Sequence, residues 1–172
     1  LFFLIFFNAN AQKTEKIVFK SANPFAISDI ITDLENQQEQ EVFGKLTFPN
    51  DSFDKEKKHP LIIGVAGSLG WREHHYEYMQ MYQQSGFATF ELNSFKSRNV
   101  SSTVGSQVEV TTAAIILDAY SAFAELANHP NIDKNRVSIT GWSLGGAVAL
   151  FSGWKPVMNA ITYDLRFSSH LA

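Results

Sequence analysis

The chain has 172 residues, with 14 basic and 17 acidic side chains for a net charge of −3, and no cysteine. That length suits one domain of roughly 100–200 residues, and a charged share of 18% beside an apolar share of 45% excludes a disordered polyelectrolyte. Without a basic excess nothing draws phosphates, so nucleic acid is not an expected partner; without cysteine there is no disulfide, thiolate metal site or cysteine nucleophile in this stretch.

Leu1 to Phe7 are all apolar, and Asn8-Ala9-Asn10-Ala11-Gln12 follows with the small-x-small pattern of a signal-peptidase site. An apolar run of 7–15 residues before such a site reads as a secretory signal, whereas a membrane span needs about 20 apolar residues. Residues 1–11 are therefore expected to be a partial signal peptide, with the charged leader before Leu1. The mature protein is expected to be secreted or periplasmic, with no stable membrane span. A buried N-terminal strand is the weaker alternative, because the run has no polar alternation.

Lys16–Lys20 and Glu41–Phe48 are short β-type runs, and Asp51–His59 is a charged connector ending at Pro60. Leu61–Ala66 is a continuous apolar run that reads as a strand buried on both faces. Glu73–Gln84 has helical spacing and stops at Gly86. Phe87–Leu92 is the next strand, and Asn93–Ser106, rich in Ser, Asn and Gly, is a loop. Gln107–Asn128 is a long helix, Arg136–Thr140 a strand, Leu144–Gly153 a helix and Val157–Tyr163 a further strand. This alternation predicts an α/β fold, a doubly wound and mostly parallel sheet spanning residues 12–172 and continuing beyond them.

Gly141-Trp142-Ser143-Leu144-Gly145 fits G-x-S-x-G between that strand and helix. A serine thrust out of so tight a turn has a strained backbone, and side chains two positions to either side would collide, so both must be glycine. The helix that begins at Leu144 aims free N–H groups at charge forming beside Ser143. A glycine turn that only permits close helix–strand packing is the bland alternative, and the strand-turn-helix context favours the nucleophile. Acyl transfer needs a second donor from the loop after an earlier strand; Gly67-Ser68-Leu69-Gly70 stands there, so the N–H of Ser68 joins that of Leu144 as the expected oxyanion hole.

Val65–Gly70, the stretch Leu92-Asn93-Ser94-Phe95 to Arg98, and His129-Pro130-Asn131-Ile132-Asp133-Lys134-Asn135-Arg136 ahead of the Gly141–Gly146 turn together resemble the dienelactone hydrolase family of α/β-hydrolases. The resemblance runs over about residues 60–172. It implies hydrolysis of a small ester or lactone through an acyl-enzyme on Ser143, with no metal or organic cofactor. Three positions depart from the family pattern: a usual histidine is Ala66, a usual aspartate is Asn93, and a usual glycine is Asn99. The fold's order of Ser, acid, then His is met by Asp164 and His170, but too little chain separates them. The triad acid and histidine are therefore expected beyond residue 172, which would leave residues 1–172 inactive alone. A peptidase of the same fold and a non-catalytic hydrolase-like binding protein are the alternatives.

Of the remaining polar residues, His74 and His75 are expected on the surface, with one of them lining the pocket mouth as the other reading, and His59 is expected in the polar connector. Arg98 is expected to anchor its loop, although pairing with an acidic substrate is the other reading. Asp118 and Glu125 are expected to be solvated or salt-bridged, and Asp133 to cap a turn. Trp142 could wall the acyl pocket or pack under the sheet.

Overall fold

The computed structural model describes residues 12–49, 56–162 and 164–172. The expected signal segment and most of the charged connector lie outside them. The described strands are β1 (Thr14–Ala22), β2 (Glu39–Thr47), β3 (His59–Val65), β4 (Ala88–Leu92), β5 (Ile132–Gly141) and β6 (His170–Leu171). They form one sheet ordered β1-β2-β4-β3-β5-β6. Strands β4, β3, β5 and β6 are parallel, while β1 and β2 run antiparallel to their neighbours. The expected α/β sheet is thus present, mostly parallel in the half that carries the glycine turns.

Helices α1 (Ile27–Thr32), α2 (Glu73–Gln84), α3 (Thr112–Leu126), α4 (Leu144–Ser152) and α5 (Lys155–Ile161) cover it. On β3, successive side chains face opposite ways. Leu61, Ile63 and Val65 join the main core with Ile115, Ile116 and Phe123 of α3. Gly64 faces the other way, where an added Cβ would meet Met79 of α2 and the ring of Trp71. Full burial of a Leu or Ile contributes roughly 1.5–3 kcal/mol, so this two-sided strand is the spine of the fold. Helix α3 is buried nearly all round, as its Ala- and Ile-rich sequence requires. Thr111 caps it by accepting the Ala114 N–H at 3.1 Å, so the helix starts at Thr112 and Gln107–Val110 stay outside it.

Two expectations fail. Val157–Tyr163 is not a strand: Val157–Ile161 lies in α5 and Thr162 ends that helix, with Pro156 in the first turn and only Val157 fully buried. Proline is favoured at a helix start because no N–H is needed there, and apolar residues spaced as 157, 158, 160 and 161 fit a helical face. The next parallel strand comes later, as β6 beside Ile139 and Thr140. His59 is not in a solvated connector but begins β3, is 1% exposed, and sits against the Phe48 ring at 5.7 Å. Helix α1 had no clear signal in its short sequence. No described helix is long and apolar enough to cross a membrane.

Candidate active site

Strands β3 and β5 run parallel with Val65 beside Gly141, so both glycine turns leave the sheet at one edge, at the carboxyl ends of the strands where α/β folds place ligands. At the second turn Ser143 has φ 54° and ψ −113°, a conformation that costs a non-glycine residue about 1–3 kcal/mol. Ser143 is exposed, while its neighbours Gly141, Leu144 and Gly145 are buried. The strain is enforced by packing. A Cβ on Gly141 would fall on the backbone of Gly145, and one on Gly145 would fall on the carbonyl of Val65. Backbone bonds lock the turn: Trp142 N–H donates to Val65 O at 3.2 Å, Gly145 N–H to Trp142 O at 2.9 Å and Ala147 N–H to Ser143 O at 3.1 Å.

The first turn closes with Gly70 N–H donating to Gly67 O at 2.8 Å. Gly67 approaches the second turn so closely that an added Cβ would lie 3.2 Å from Trp142 O and 3.5 Å from Ser143 Cβ. The N–H groups of Ser68 and Leu144 have no acceptor among the described residues. Two donors without partners therefore flank an exposed hydroxyl at the positive end of α4. The Ser68 carbonyl points elsewhere, accepting from Thr103 N–H at 2.9 Å and from Ser102 Oγ at 3.2 Å. Nothing in the sequence marks Ser102 or Thr103 as supports of this turn, since both lie in a low-information loop.

Trp142 packs against a cluster of rings. His75 stacks on its ring at 4.6 Å, with Trp71 at 6.1 Å and Tyr78 at 5.9 Å. His75 is 3% exposed, which corrects the expectation of a surface residue; His74 beside it is exposed. Its Nδ1 accepts the Arg72 N–H at 3.1 Å and caps α2. Burial, then the nearby charges of His74 and Arg72, push its pKa down to about 4, so it is neutral at ordinary pH.

Beside the Gly67–Gly70 turn opens a cleft of about 420 Å³, with Leu69, Trp71, Phe95, Val100 and Ile115 among its walls. Ser143 and Trp142 are not among the wall residues. The cleft's outer side is the loop after β4, and Arg98 anchors it. The guanidinium uses all five N–H donors: two bonds to the Asp118 carboxylate at 2.7 and 3.0 Å, and one each to Asn23 Oδ1, Ser94 O and Ala22 O. Arg98 is therefore structural and has no donor left for a substrate. Asn99, at a usual family glycine, has φ 58°, a left-handed conformation that asparagine tolerates better than most residues. Asn93, at a usual aspartate, is buried and donates to Glu91 O at 3.0 Å.

Neither doubted triad residue reaches Ser143. His170 Nδ1 lies 2.8 Å from Ala149 O and 3.1 Å from Ser152 Oγ, about 9 Å along α4 from its start at 1.5 Å per residue. Asp164 is exposed, and Asp133 caps the turn at Asn135 and Arg136. No group of metal-ligating side chains occurs among the described residues.

The acetyl xylan esterase family (AXE1) matches residues 109–171, which include the Ser143 turn. Among solved structures the chain is similar to P91, a dienelactone hydrolase-like promiscuous phosphotriesterase from metagenomic libraries. The TM-score is 0.60 and identity 15%, covering 84% of this chain and 54% of that one. The esterase Est22 matches with a TM-score of 0.59 and 19% identity over 88% of this chain and 41% of that one. An acylaminoacyl peptidase matches with a TM-score of 0.55 and 21% identity over 84% and 21%. No curated protein sequence matches. The chain thus spans about half or less of these proteins' length, and what it shares with them at such identities is the fold.

Proposed function

From the α/β-hydrolase fold that this chain has in common with those esterases and peptidases, we propose that it carries the nucleophile of a serine hydrolase acting on small carboxylic esters or lactones. The observation that carries the reading is Ser143 itself, exposed at φ 54° between two glycines with no room for a Cβ. In this reading Ser143 Oγ attacks the carbonyl carbon, and its proton passes to a histidine oriented by a carboxylate. The N–H groups of Leu144 and Ser68 take the charge of the tetrahedral oxyanion; one such donor is typically worth about 2.7–4 kcal/mol of barrier. Collapse expels the alcohol and leaves an acyl-serine, which water hydrolyses. The reading requires a histidine and an acid other than His170, which is bonded to Ala149 O and Ser152 Oγ, and the exposed Asp164. An ester is favoured over a peptide by the acetyl xylan esterase match across the turn.

A fluorophosphonate probe tests this on the full-length polypeptide. It should label Ser143, and Ser143→Ala should abolish both labelling and p-nitrophenyl acetate turnover. Labelling that survives the substitution removes the assignment. The second reading, a non-catalytic binding protein of this fold, is favoured by the lack of a histidine or carboxylate at Ser143 among the described residues; it requires that the full-length polypeptide show neither labelling nor turnover. Export is part of the proposal, resting on Leu1–Phe7 and the Ala9-x-Ala11 site. N-terminal sequencing of the mature protein should begin at Gln12.

A further inference from the structure

We propose that the cleft between the Gly67–Gly70 turn and the loop after β4 is a binding site for a free aliphatic monocarboxylate, with its hydrocarbon end on the cleft floor and its carboxylate at Lys96. Neither Ser143 nor Ser68 is on the wall, so the inference stands without the serine hydrolase reading. The wall is divided by burial. Val65, Leu92, Phe95 and Ile115, from β3, β4, the start of the following loop and α3, are buried and apolar. Lys96, Asn99 and Ser101 are exposed and polar, and all three come from the loop after β4. A ligand that fits is therefore amphipathic, apolar at its inner end and polar at its outer one.

Charge and hydrogen bonding set the class. Lys96 has no carboxylate partner among the described residues, and no acidic side chain lines the cleft. The side chains of Asn99 and Ser101 likewise make no hydrogen bond among the described residues. One ammonium with neutral donors beside it matches a single negative charge. Ser94, on the same wall and 4% exposed, keeps a hydroxyl without a partner among the described residues. A buried hydroxyl left unpaired is unfavourable, and an oxygen-bearing ligand supplies what a hydrocarbon cannot. A volume of about 420 Å³ lies within the range of small-ligand sites, which suits a short chain and not a long-chain lipid.

The test is calorimetric titration of the full-length polypeptide with butyrate, hexanoate, hexanol and hexylamine, which needs no turnover. Hexanoate should bind more tightly than butyrate by about fourfold for each methylene buried, and hexylamine should not bind. Lys96→Met, a surface substitution, should weaken hexanoate by about three- to fivefold and leave hexanol unchanged; added salt should do the same. Val100→Trp fills the cleft and should weaken hexanoate and hexanol alike, by about tenfold; Lys96→Met keeps the test decisive if that variant folds poorly. No binding of hexanoate, binding of hexylamine as tight as that of hexanoate, or a hexanoate affinity indifferent to Lys96→Met overturns the inference. Inhibition of Ser143-dependent p-nitrophenyl acetate turnover then separates the sources of the carboxylate. Competitive inhibition marks the acid that the reaction releases. Non-competitive inhibition marks a separate ligand acting through Ser102 and Thr103, which tie this loop to Ser68 O. Both keep the site. Absence of any Ser143-dependent turnover overturns the serine reading and leaves the titration standing.

Discussion

The two regions on either side of the Gly67–Gly70 turn, the Ser143 turn and the loop after β4, are held in opposite ways. The Ser143 turn is fixed by missing atoms: Gly141, Gly145 and Gly67 bring backbone against backbone where a single Cβ would collide. The loop after β4 is fixed by present atoms, because Arg98 reaches into the fold and spends every donor on Asp118, Asn23 and two carbonyls. The first side holds a strained, exposed serine through close backbone contact and backbone hydrogen bonds. The second keeps its charge buried, with side chains 5% and 0% exposed. One region should fail when anything is added, the other when anything is removed.

The largest effect is expected at the charged anchor. Asp118→Ala leaves a buried guanidinium unpaired and should cost about 3–5 kcal/mol, read as a fall in the urea midpoint. Replacing both partners, Arg98→Met with Asp118→Leu, should recover most of that loss. If the double variant is as unstable as Asp118→Ala, the anchor is not the ion pair. Next comes pH, acting under the Ser143 turn through His75. Its pKa is held near 4 when folded against 6.5 for the free side chain, so between these values the unfolded chain binds the extra proton. Stability is then full above pH 6.5 and falls as pH drops towards about 4, by up to about 3 kcal/mol. His75→Gln should flatten that part of the stability profile; an unchanged slope would mean that another group titrates there. Smaller in stability but sharper in function, Gly145→Ala should cost about 1–3 kcal/mol by overpacking and remove fluorophosphonate labelling. Full labelling of that variant would show that the turn relaxes freely.

Sequence made the first side legible and the second only partly so. Glycine is a signal in itself, because few other reasons place it two residues either side of a serine between a strand and a helix; Ser143 and its flanks follow from that pattern. The anchoring role of Arg98 was one of two readings, since its partner Asp118 lies on a helix whose burial depends on the whole sheet. His75 carries a polar label, and part of the packing that buries it comes from Trp142, far along the chain. Val157–Tyr163 misled because an apolar stretch of that length reads as strand or helix alike, with Pro156 as the overlooked mark of a helix start. The cleft itself is formed by β3, β4 and α3 together and has no local signature.

Where the two sides touch, the smallest and most discriminating change is available. Ser102 Oγ and Thr103 N–H both hold the Ser68 carbonyl, at 3.2 and 2.9 Å. They fix the first turn from the loop that Arg98 anchors, and with it the direction of the Ser68 N–H. Ser102 Oγ also accepts the Val104 N–H at 3.2 Å, so the hydroxyl is a hinge between loop and turn. Ser102→Ala removes one of two bonds to that carbonyl, a net loss of about 1 kcal/mol, and touches no substrate. If the loop aims the oxyanion donor, kcat should fall by about fivefold with KM steady, since the lost alignment matters most to the charge of the transition state. A change in KM alone would make the hydroxyl part of the cleft wall, and no change in either would leave Thr103 N–H sufficient to hold the turn.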